Sequence, residues 1–416
     1  MERSFRPSSD IISNLPDEVM ETIFLYLPIR DAVRTTLLSN KWRYKWTTIP
    51  NLVFHENNIC CFTNDRKLRS YKLLNFVDQI LLQHKGSIHK FELSAHSLQG
   101  YVIHSWLLFL SINGVKELVL NFSTGKPYVV HSSFFSFESI YYLNLCGCVL
   151  KPPPMFKGFS YLRRLSLERV TLANEVLESM ISSCTNLEIL KLVDLDGCNC
   201  IRICGPNLKR FYFNGEFADM SFRDSPNLSF ISIFLNDDVV DIPVGQGEIS
   251  NLVRVLGCLT GLEKLAICHY FMKFLAMGNL SKRLAVTYYG LKSISLQINL
   301  KDLNHTLVML RLFQSTPNLQ ELEMVANQVA ATEYVDDFWK AQRRLNCSMN
   351  HLRMVKISLL GALPELGFIE FLLANSPVLE ILSVNHISGK KVEESRVLKE
   401  LMRFRRASTK AEIEYK

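Results

Sequence analysis

Residues 162–192 read LRRLSLERVTLANEVLESMISSCTNLEILKL, a stretch that opens and closes on the same six-residue unit. Leu162-Arg-Arg-Leu165-Ser-Leu167 and Leu187-Glu-Ile-Leu190-Lys-Leu192 both run apolar, two variable, apolar, one variable, apolar. The second half of the unit alternates with period two, so it predicts a short strand with one inward face. Between the two copies, Glu175 to Ser183 supplies a helical back, and Cys184-Thr-Asn-Leu187 marks the return from helix to strand. One such unit cannot bury its own apolar face; stacked against neighbours it can, in one continuous core.

The same unit starts again at Val115, Ile140, Leu208, Leu228, Leu262, Leu291, Leu319, Leu352 and Leu379, with a degenerate first copy at Ile88. Successive starts lie roughly 20 to 34 residues apart, the range of leucine-rich repeats in a variable, helix-containing form. Leu303 to Gln314 and Gly367 to Ala374 read as further helical backs, followed by Thr316-Pro-Asn-Leu319 and Ser376-Pro-Val-Leu379, where proline cannot continue the helix. Parallel strands lining a concave wall make a binding surface. The variable positions beside the second and third apolar residues are expected to face that wall. They nominate Arg164, Ser166, Glu168, Lys191, Arg210, Tyr212, Phe230 and Phe234, of which Arg164, Lys191, Arg210, Tyr212, Phe230 and Phe234 are the candidate substrate-binding set. Arg164, Lys191 and Arg210 favour an acidic or phosphorylated partner. The alternative is a wall of solvated strand positions with no hot spot.

Before the repeats, residues 15–54 read LPDEVMETIFLYLPIRDAVRTTLLSNKWRYKWTTIPNLVF. Pro16 suits a first helical position, and Asp17 and Glu18 favour the positive end of that helix. Val19, Ile23, Phe24 and Leu27 form an apolar stripe, and Pro28 ends the helix by biasing Leu27 out of the α region. A second helix is expected near Asp31, with Val33, Leu37 and Leu38 as its apolar face. Ser39 or Asn40 offers an N-cap for a third carrying Trp42 and Trp46. Three short helices in about 40 residues cannot close a large core, so they need a partner surface.

The order Leu15-Pro16, Leu27-Pro28-Ile29, Leu38-Ser39 and Trp42-Arg43 leading to Trp46 resembles the F-box of plant proteins. That resemblance implies docking onto a Skp-type adaptor and, through it, a cullin and a ubiquitin-conjugating enzyme. Carried over by position, the adaptor contacts are Leu15, Pro16, Ile23, Leu27, Pro28, Ile29, Val33, Leu37, Leu38 and Trp42, with Trp46 open to either the adaptor or the next domain. Near the C-terminus, Leu352-Arg-Met-Val-Lys-Ile357, Glu365 to Phe371, Asn375 to Glu380, Leu401 to Arg405 and Ala411 to Tyr415 resemble the FBD signature. The whole order is similar to the plant F-box/FBD/LRR-repeat family. The expected fold class is α/β, an N-terminal three-helix F-box followed by a leucine-rich-repeat solenoid of parallel strands with helical or loop backs. The expected boundaries are 10–55 for the F-box, 56–87 for a connecting helical segment, 88–345 for the repeats, and 346–416 for the FBD region and cap. The implied function is a non-catalytic substrate receptor of a ubiquitin ligase; the alternative is an interaction scaffold or small-molecule sensor that directs no ubiquitination.

Composition fits a folded chain: 416 residues, 48% hydrophobic and 21% charged. A net charge of +7, from 47 Lys and Arg against 40 Asp and Glu, is too mild to indicate a nucleic-acid groove. The basic run Arg403 to Arg406 reads as a solvated helical face. Apolar stretches such as Trp106 to Ile112 fall well short of the roughly 20 residues that cross a bilayer, and the first ten residues hold no apolar signal core. The expected location is cytoplasmic or nuclear, with no membrane partner. Eleven cysteines point to reduced thiols. Cys146, Cys148, Cys198, Cys200 and Cys204 have C-x-C spacing in place of C-x-x-C, so the expectation is no metal and no cofactor. No phosphate-binding loop, H-E-x-x-H or nucleophile elbow occurs, and Gly245-Gln-Gly247 reads as a loop after Pro243.

Overall fold

Period-two alternation becomes strand at every predicted copy. The computed structural model describes residues 15–59, 65–96, 100–122, 126–235, 259, 261–277, 287–300, 302–326, 339, 349–359, 363–386 and 391–415, so the Gly245-Gln-Gly247 loop lies outside the described residues. The chain divides into two units, Met1–Leu187 with Leu195–Gly197, and Glu188–Asp194 with Cys198–Lys416.

The first unit starts with α1 (Asp17–Tyr26) and α2 (Ile29–Arg34), then 3₁₀ turns at Thr35–Leu37 and Lys45–Thr48. Next come β1 (Asn51–His55), α3 (Glu56–Ile59), α4 (Arg66–Gln83), β2 (Lys90–Ala95), α5 (Gly100–Ile112) and β3 (Glu117–Phe122). It continues through β4 (Tyr128–Val129), β5 (Tyr142–Cys146), β6 (Cys148–Val149), β7 (Arg164–Glu168) and α6 (Asn174–Ser183). Strands β1, β2, β3, β5 and β7 pair in that order, all parallel. Their register lines up Leu52, Phe91, Leu118, Leu143 and Leu165 in one inward row, and Phe54, Leu93, Leu120, Leu145 and Leu167 in the next. Every one of these side chains is at most 1% exposed, and burying each is worth roughly 1.5–3 kcal/mol.

The second unit holds β8 (Ile189–Val193), β9 (Cys200–Cys204), β10 (Arg210–Asn214), β11 (Asp219–Arg223), β12 (Phe230–Phe234), β13 (Lys264–Ile267), α7 (His269–Met277) and β14 (Ser293–Ile298). After these come α8 (Leu303–Ser315), β15 (Glu321–Ala326), β16 (Met354–Leu359), α9 (Leu363–Asn375), β17 (Ile381–His386), α10 (Lys391–Arg403) and β18 (Glu412–Tyr415). One inward row runs Leu190, Phe211, Ile231, Leu265, Ile294, Leu322, Val355, Leu382 and Ile413, again across parallel strands. Asp302 caps α8 by accepting from the Asn304 and His305 N–H groups. The sheet ends on β18, whose Glu412 and Glu414 are exposed, leaving a charged edge.

The helix-to-strand motifs share one turn. The N–H of Leu187 donates to the Cys184 carbonyl at 3.0 Å, that of Leu319 to Thr316 at 3.2 Å, and that of Leu379 to Ser376 at 3.3 Å. Each turn reverses the chain in time for the first apolar residue of its repeat. Gly158 precedes the copy at Leu162; its φ of +85° and a Cβ position 2.6 Å from the Ser183 carbonyl oxygen leave room only for glycine.

Three sequence expectations need correction. The third helix does not form: Tyr44 takes a left-handed φ of 65°, which breaks any helix through it, and Trp42 and Trp46 sit on a turn and a 3₁₀ segment instead. α2 begins at Ile29, two residues before Asp31, because the Pro28 carbonyl already accepts from the Asp31 and Ala32 N–H groups at 2.9 Å. Asn51–His55, placed with the helical module by sequence, is the strand β1 beside β2. Ile49-Pro-Asn-Leu52-Val-Phe54 has the repeat pattern itself.

Candidate functional site

The helical module is closed by a small core of its own. Met20 and Phe24 of α1, Ile29 and Ala32 of α2, and Trp42 and Trp46 from the turns are all at most 4% exposed. The Phe24 and Trp42 rings lie 5.5 Å apart at 58°, a tilted aromatic contact. Lys45 Nζ donates to Asp17 Oδ1 at 3.0 Å and Lys41 Nζ to the Leu15 carbonyl at 3.1 Å, tying the turn region to the start of α1. Arg30 Nη1 donates to the Asn58 carbonyl at 2.7 Å, joining α2 to α3.

The ten residues nominated for the adaptor separate into three groups. Leu37 is 87% exposed and Leu38 58% exposed, and Pro16 and Pro28 are also exposed. Leu15, Ile23, Leu27 and Val33 are half-buried. Ile29 and Trp42 are core residues, so their work is to hold the module together and not to offer surface. The expected stripe on α1 shifts likewise: Met20 with Phe24 is inside, and Val19 is outside. Sequence reasoning placed Val19 in the buried stripe and missed the exposed apolar side chains of Leu25, Tyr26 and Tyr44. Val19, Ile23 and Tyr26 follow at helical spacing, which was the available signal.

On the repeat strands the parity holds. Lys191 and Arg210 are exposed, while Tyr212, Phe230 and Phe234 are half-buried on the face opposite the leucine rows. Register makes Arg210 the neighbour of Phe230 and Phe230 the neighbour of Lys264; Lys191 is the neighbour of Tyr212. The Tyr212 and Phe230 rings are 4.9 Å apart. This patch of β8, β10, β12 and β13 therefore alternates cations with aromatic rings. Lys264 is the member that sequence reasoning missed, although it sits just before Leu265 as Arg210 sits before Phe211. Its carboxylate neighbour Glu321 is 3.9 Å away with both side chains over half exposed, a pair of little strength. Arg164 belongs to the first unit, beside Tyr142, with Ser166 half-buried on the same strand. Glu168 pairs with Arg169 at 3.7 Å.

The corresponding face of the first unit is networked by its own charges. Lys90 Nζ meets Glu92 at 2.7 Å, and that hydrogen bond raises the lysine pKa above its ordinary value. Tyr141 donates its hydroxyl to Glu117, which pushes the phenol upward in the same way.

The cysteines divide by unit, Cys146 and Cys148 in the first and Cys198, Cys200 and Cys204 in the second. Among the described residues no three His, Cys, Asp or Glu side chains converge as metal ligands. Burial raises the Cys146 and Cys148 thiols above their ordinary range, the opposite of a ligating or nucleophilic thiolate. Among the described residues no helix is long and apolar enough to cross a membrane.

Residues 12–54 match the F-box domain family, and residues 103–324 match the family described as "FBD-associated F-box protein At5g56370, LRR repeats". The F-box/FBD/LRR-repeat protein At1g13570 of Arabidopsis thaliana is 41% identical over 98% of each chain. The F-box/FBD/LRR-repeat protein At1g78750 of the same plant is 26% identical over 97% of this chain and 96% of its own. The putative F-box/LRR-repeat protein At4g15060, also from Arabidopsis, is 26% identical over 77% and 80%.

Proposed function

The chain belongs to the plant F-box/FBD/LRR-repeat family, and from that premise we propose that it is the non-catalytic substrate receptor of a Skp/cullin/F-box ubiquitin ligase. The observation that carries this reading is the pair Leu37 and Leu38, held outward by a module whose core is closed by Met20, Phe24, Ile29, Ala32, Trp42 and Trp46. Two adjacent exposed leucines at the end of a helix are costly in water and suit a partner's groove. Together with Leu15, Pro16, Ile23, Leu27, Pro28 and Val33 they form the proposed adaptor surface.

The target is held by the repeats. Lys191, Arg210 and Lys264 supply positive charge around Tyr212, Phe230 and Phe234, and aromatic and arginine side chains are frequent anchors in interfaces. An acidic or phosphorylated segment fits this chemistry, with its charge against the cations and its apolar side chains on the rings. Arg164 is the corresponding cation of the first unit. The ubiquitin transfer itself is done elsewhere in the ligase; this chain accelerates it by raising the target's local concentration.

Affinity purification tests both halves. Intact protein is compared with a variant carrying Leu15→Ala, Pro16→Ala and Ile23→Asp, and with one carrying Lys191→Glu and Arg210→Glu. The first variant is expected to lose adaptor and cullin and keep its targets; the second is expected to do the reverse. Adaptor and cullin copurifying equally with the first variant would overturn the reading, and unchanged target capture by the second would remove the cationic patch from it. Arg164→Glu, made separately, reads the contribution of the first unit.

A further inference from the structure

The basic run at the end of α10 belongs neither to the adaptor surface nor to the cationic patch, and it leads into a turn that carries two hydroxyls. Residues 401–412 read LMRFRRASTKAE. α10 stops at Arg403, and residues 404–411 reach β18 without forming helix or strand. Arg405 and Arg406 are both exposed. Arg406 spends one guanidinium donor, Nη1, on the Ala411 carbonyl at 2.9 Å, and keeps the rest of its five.

The two hydroxyls are adjacent in sequence and opposite in circumstance. Ser408 is 4% exposed; its Oγ donates to the Leu379 carbonyl at 2.6 Å and accepts from the Lys410 N–H at 3.3 Å. With the Ala407 N–H donating to the Leu373 carbonyl at 2.9 Å, it pins the turn to the repeat before it. Thr409 is exposed, and among the described residues its hydroxyl has no hydrogen-bond partner. The chain places a hydroxyl three residues after an arginine at Ser9, Ser166, Ser408 and Thr409. Ser9 lies outside the described residues. Ser166 is half-buried inside β7, whose backbone is paired with β5, and Ser408 is sealed. Thr409 is left, and it alone of the four follows phenylalanine, Phe404, at five residues.

We infer that Thr409 is a phosphorylation site, taken by a protein kinase of the basophilic class, which reads an arginine three residues and an apolar side chain five residues before the acceptor. Acidic side chains in such a kinase's substrate groove meet the Arg406 guanidinium in charge-assisted, bidentate pairs. A segment free of helix and ladder bonds can lie in that groove; a central strand cannot. In the transfer, Thr409 Oγ forms a bond to the γ-phosphorus of ATP and the bond from that phosphorus to the β,γ-bridging oxygen breaks. ADP leaves, and the hydroxyl proton passes to the aspartate of the kinase's catalytic loop. The phosphate adds roughly 1.5 to 2 negative charges to a turn whose other charged residues from 403 to 410 are Arg403, Arg405, Arg406 and Lys410. Modification thus takes away about half the positive charge of the run, while the Ser408 pin stays in place.

The test is incubation of the folded full chain with a constitutively active calmodulin-dependent protein kinase and magnesium ATP, the phosphate being mapped by fragment mass spectrometry. Phosphate on Thr409, with Ser166 and Ser408 unmodified, is the expected result. Thr409→Val should abolish that label and melt like the parent, because the side chain is exposed. Arg406→Gln should slow labelling of Thr409 about tenfold. Arg405→Gln should leave it unchanged, since Arg405 stands three residues before Ser408. Arg406→Lys keeps a donor for the Ala411 carbonyl but loses the planar fork; it should also label more slowly, and it decides the point if Arg406→Gln melts lower than the parent. Absence of phosphate on Thr409 overturns the inference. Phosphate on Ser408 in the folded chain does so as well, and so does a Thr409 rate that neither Arg406 variant changes.

Discussion

Replacing Leu37 and Leu38 by alanine should separate adaptor binding from stability, and Trp42→Ala should fail to do so. Leu37 is 87% exposed, so docking would bury nearly its whole side chain, worth about 2 kcal/mol relative to alanine. Leu38, 58% exposed, has less left to bury and contributes about 1 kcal/mol. Together the two truncations cost about 3 kcal/mol of binding, or about a hundredfold in Kd. The residues are adjacent, so the sum carries a coupling of a few tenths to a few kcal/mol. Because neither side chain is in the core, the melting temperature of the double variant should match the parent. Trp42 is 2% exposed and packs on Phe24; cutting it to alanine removes about 3–5 kcal/mol from folding. That variant should melt lower and bind the adaptor poorly only because the module opens. The assay is titration of the full chain with a recombinant Skp-type adaptor, paired with a thermal melt of each variant. An affinity unchanged by Leu37→Ala and Leu38→Ala would refute the assignment of the exposed leucines.

Gly158→Ala places a Cβ 2.6 Å from the Ser183 carbonyl oxygen at a φ of +85°. It should lower stability by about 1–3 kcal/mol in a denaturant titration. Phe211, fully buried with its ring 5.2 Å from Phe222, should cost about 3–5 kcal/mol on truncation to alanine, with unchanged secondary structure by circular dichroism at low temperature. Cys148, Cys184 and Cys268 are buried with their thiol pKa values raised by desolvation. They should resist iodoacetamide in the native state, while the partly exposed Cys200 and Cys204 react. The sign for Cys148 follows from linkage: its folded pKa lies above the ordinary 9.0, so the unfolded chain loses the proton first. Its contribution to stability is full below about pH 9 and declines as pH rises toward the folded value. The drop in melting temperature between neutral and strongly alkaline buffer should be smaller in Cys148→Ala.

The strands were legible because their signal is local and repeated. Leu165 and Leu167, or Phe211 and Phe213, carry the period-two alternation within six residues, and no distant neighbour is needed to see which side faces inward. The helical backs at α6, α8 and α9 were legible for the same reason. β1 was hidden only by its position: Leu52 and Phe54 carry the pattern, but the helical reading had already claimed them. The missing third helix was different in kind. Nothing around Tyr44 forbids a helix, and its left-handed backbone belongs to the turn between Trp42 and Trp46, both of which are buried. Among the site residues, the parity of Lys191, Arg210, Tyr212, Phe230 and Phe234 came from the repeat. Lys264 entered through strand register, and Arg164 lies in the other unit.

The sequence alone determined the α/β repeat architecture, the helical module before it and the family to which both belong. Those follow from patterns that recur every two, four or about 25 residues, and pattern survives without coordinates. Only the tertiary structure decided which apolar residues are surface. Ile29, Leu37, Leu38 and Trp42 look alike as hydrophobes, yet two are sealed inside the module and two stand in solvent. Exposure depends on what the rest of the chain brings alongside. Burial is a property of neighbours, and neighbours are assigned by folding.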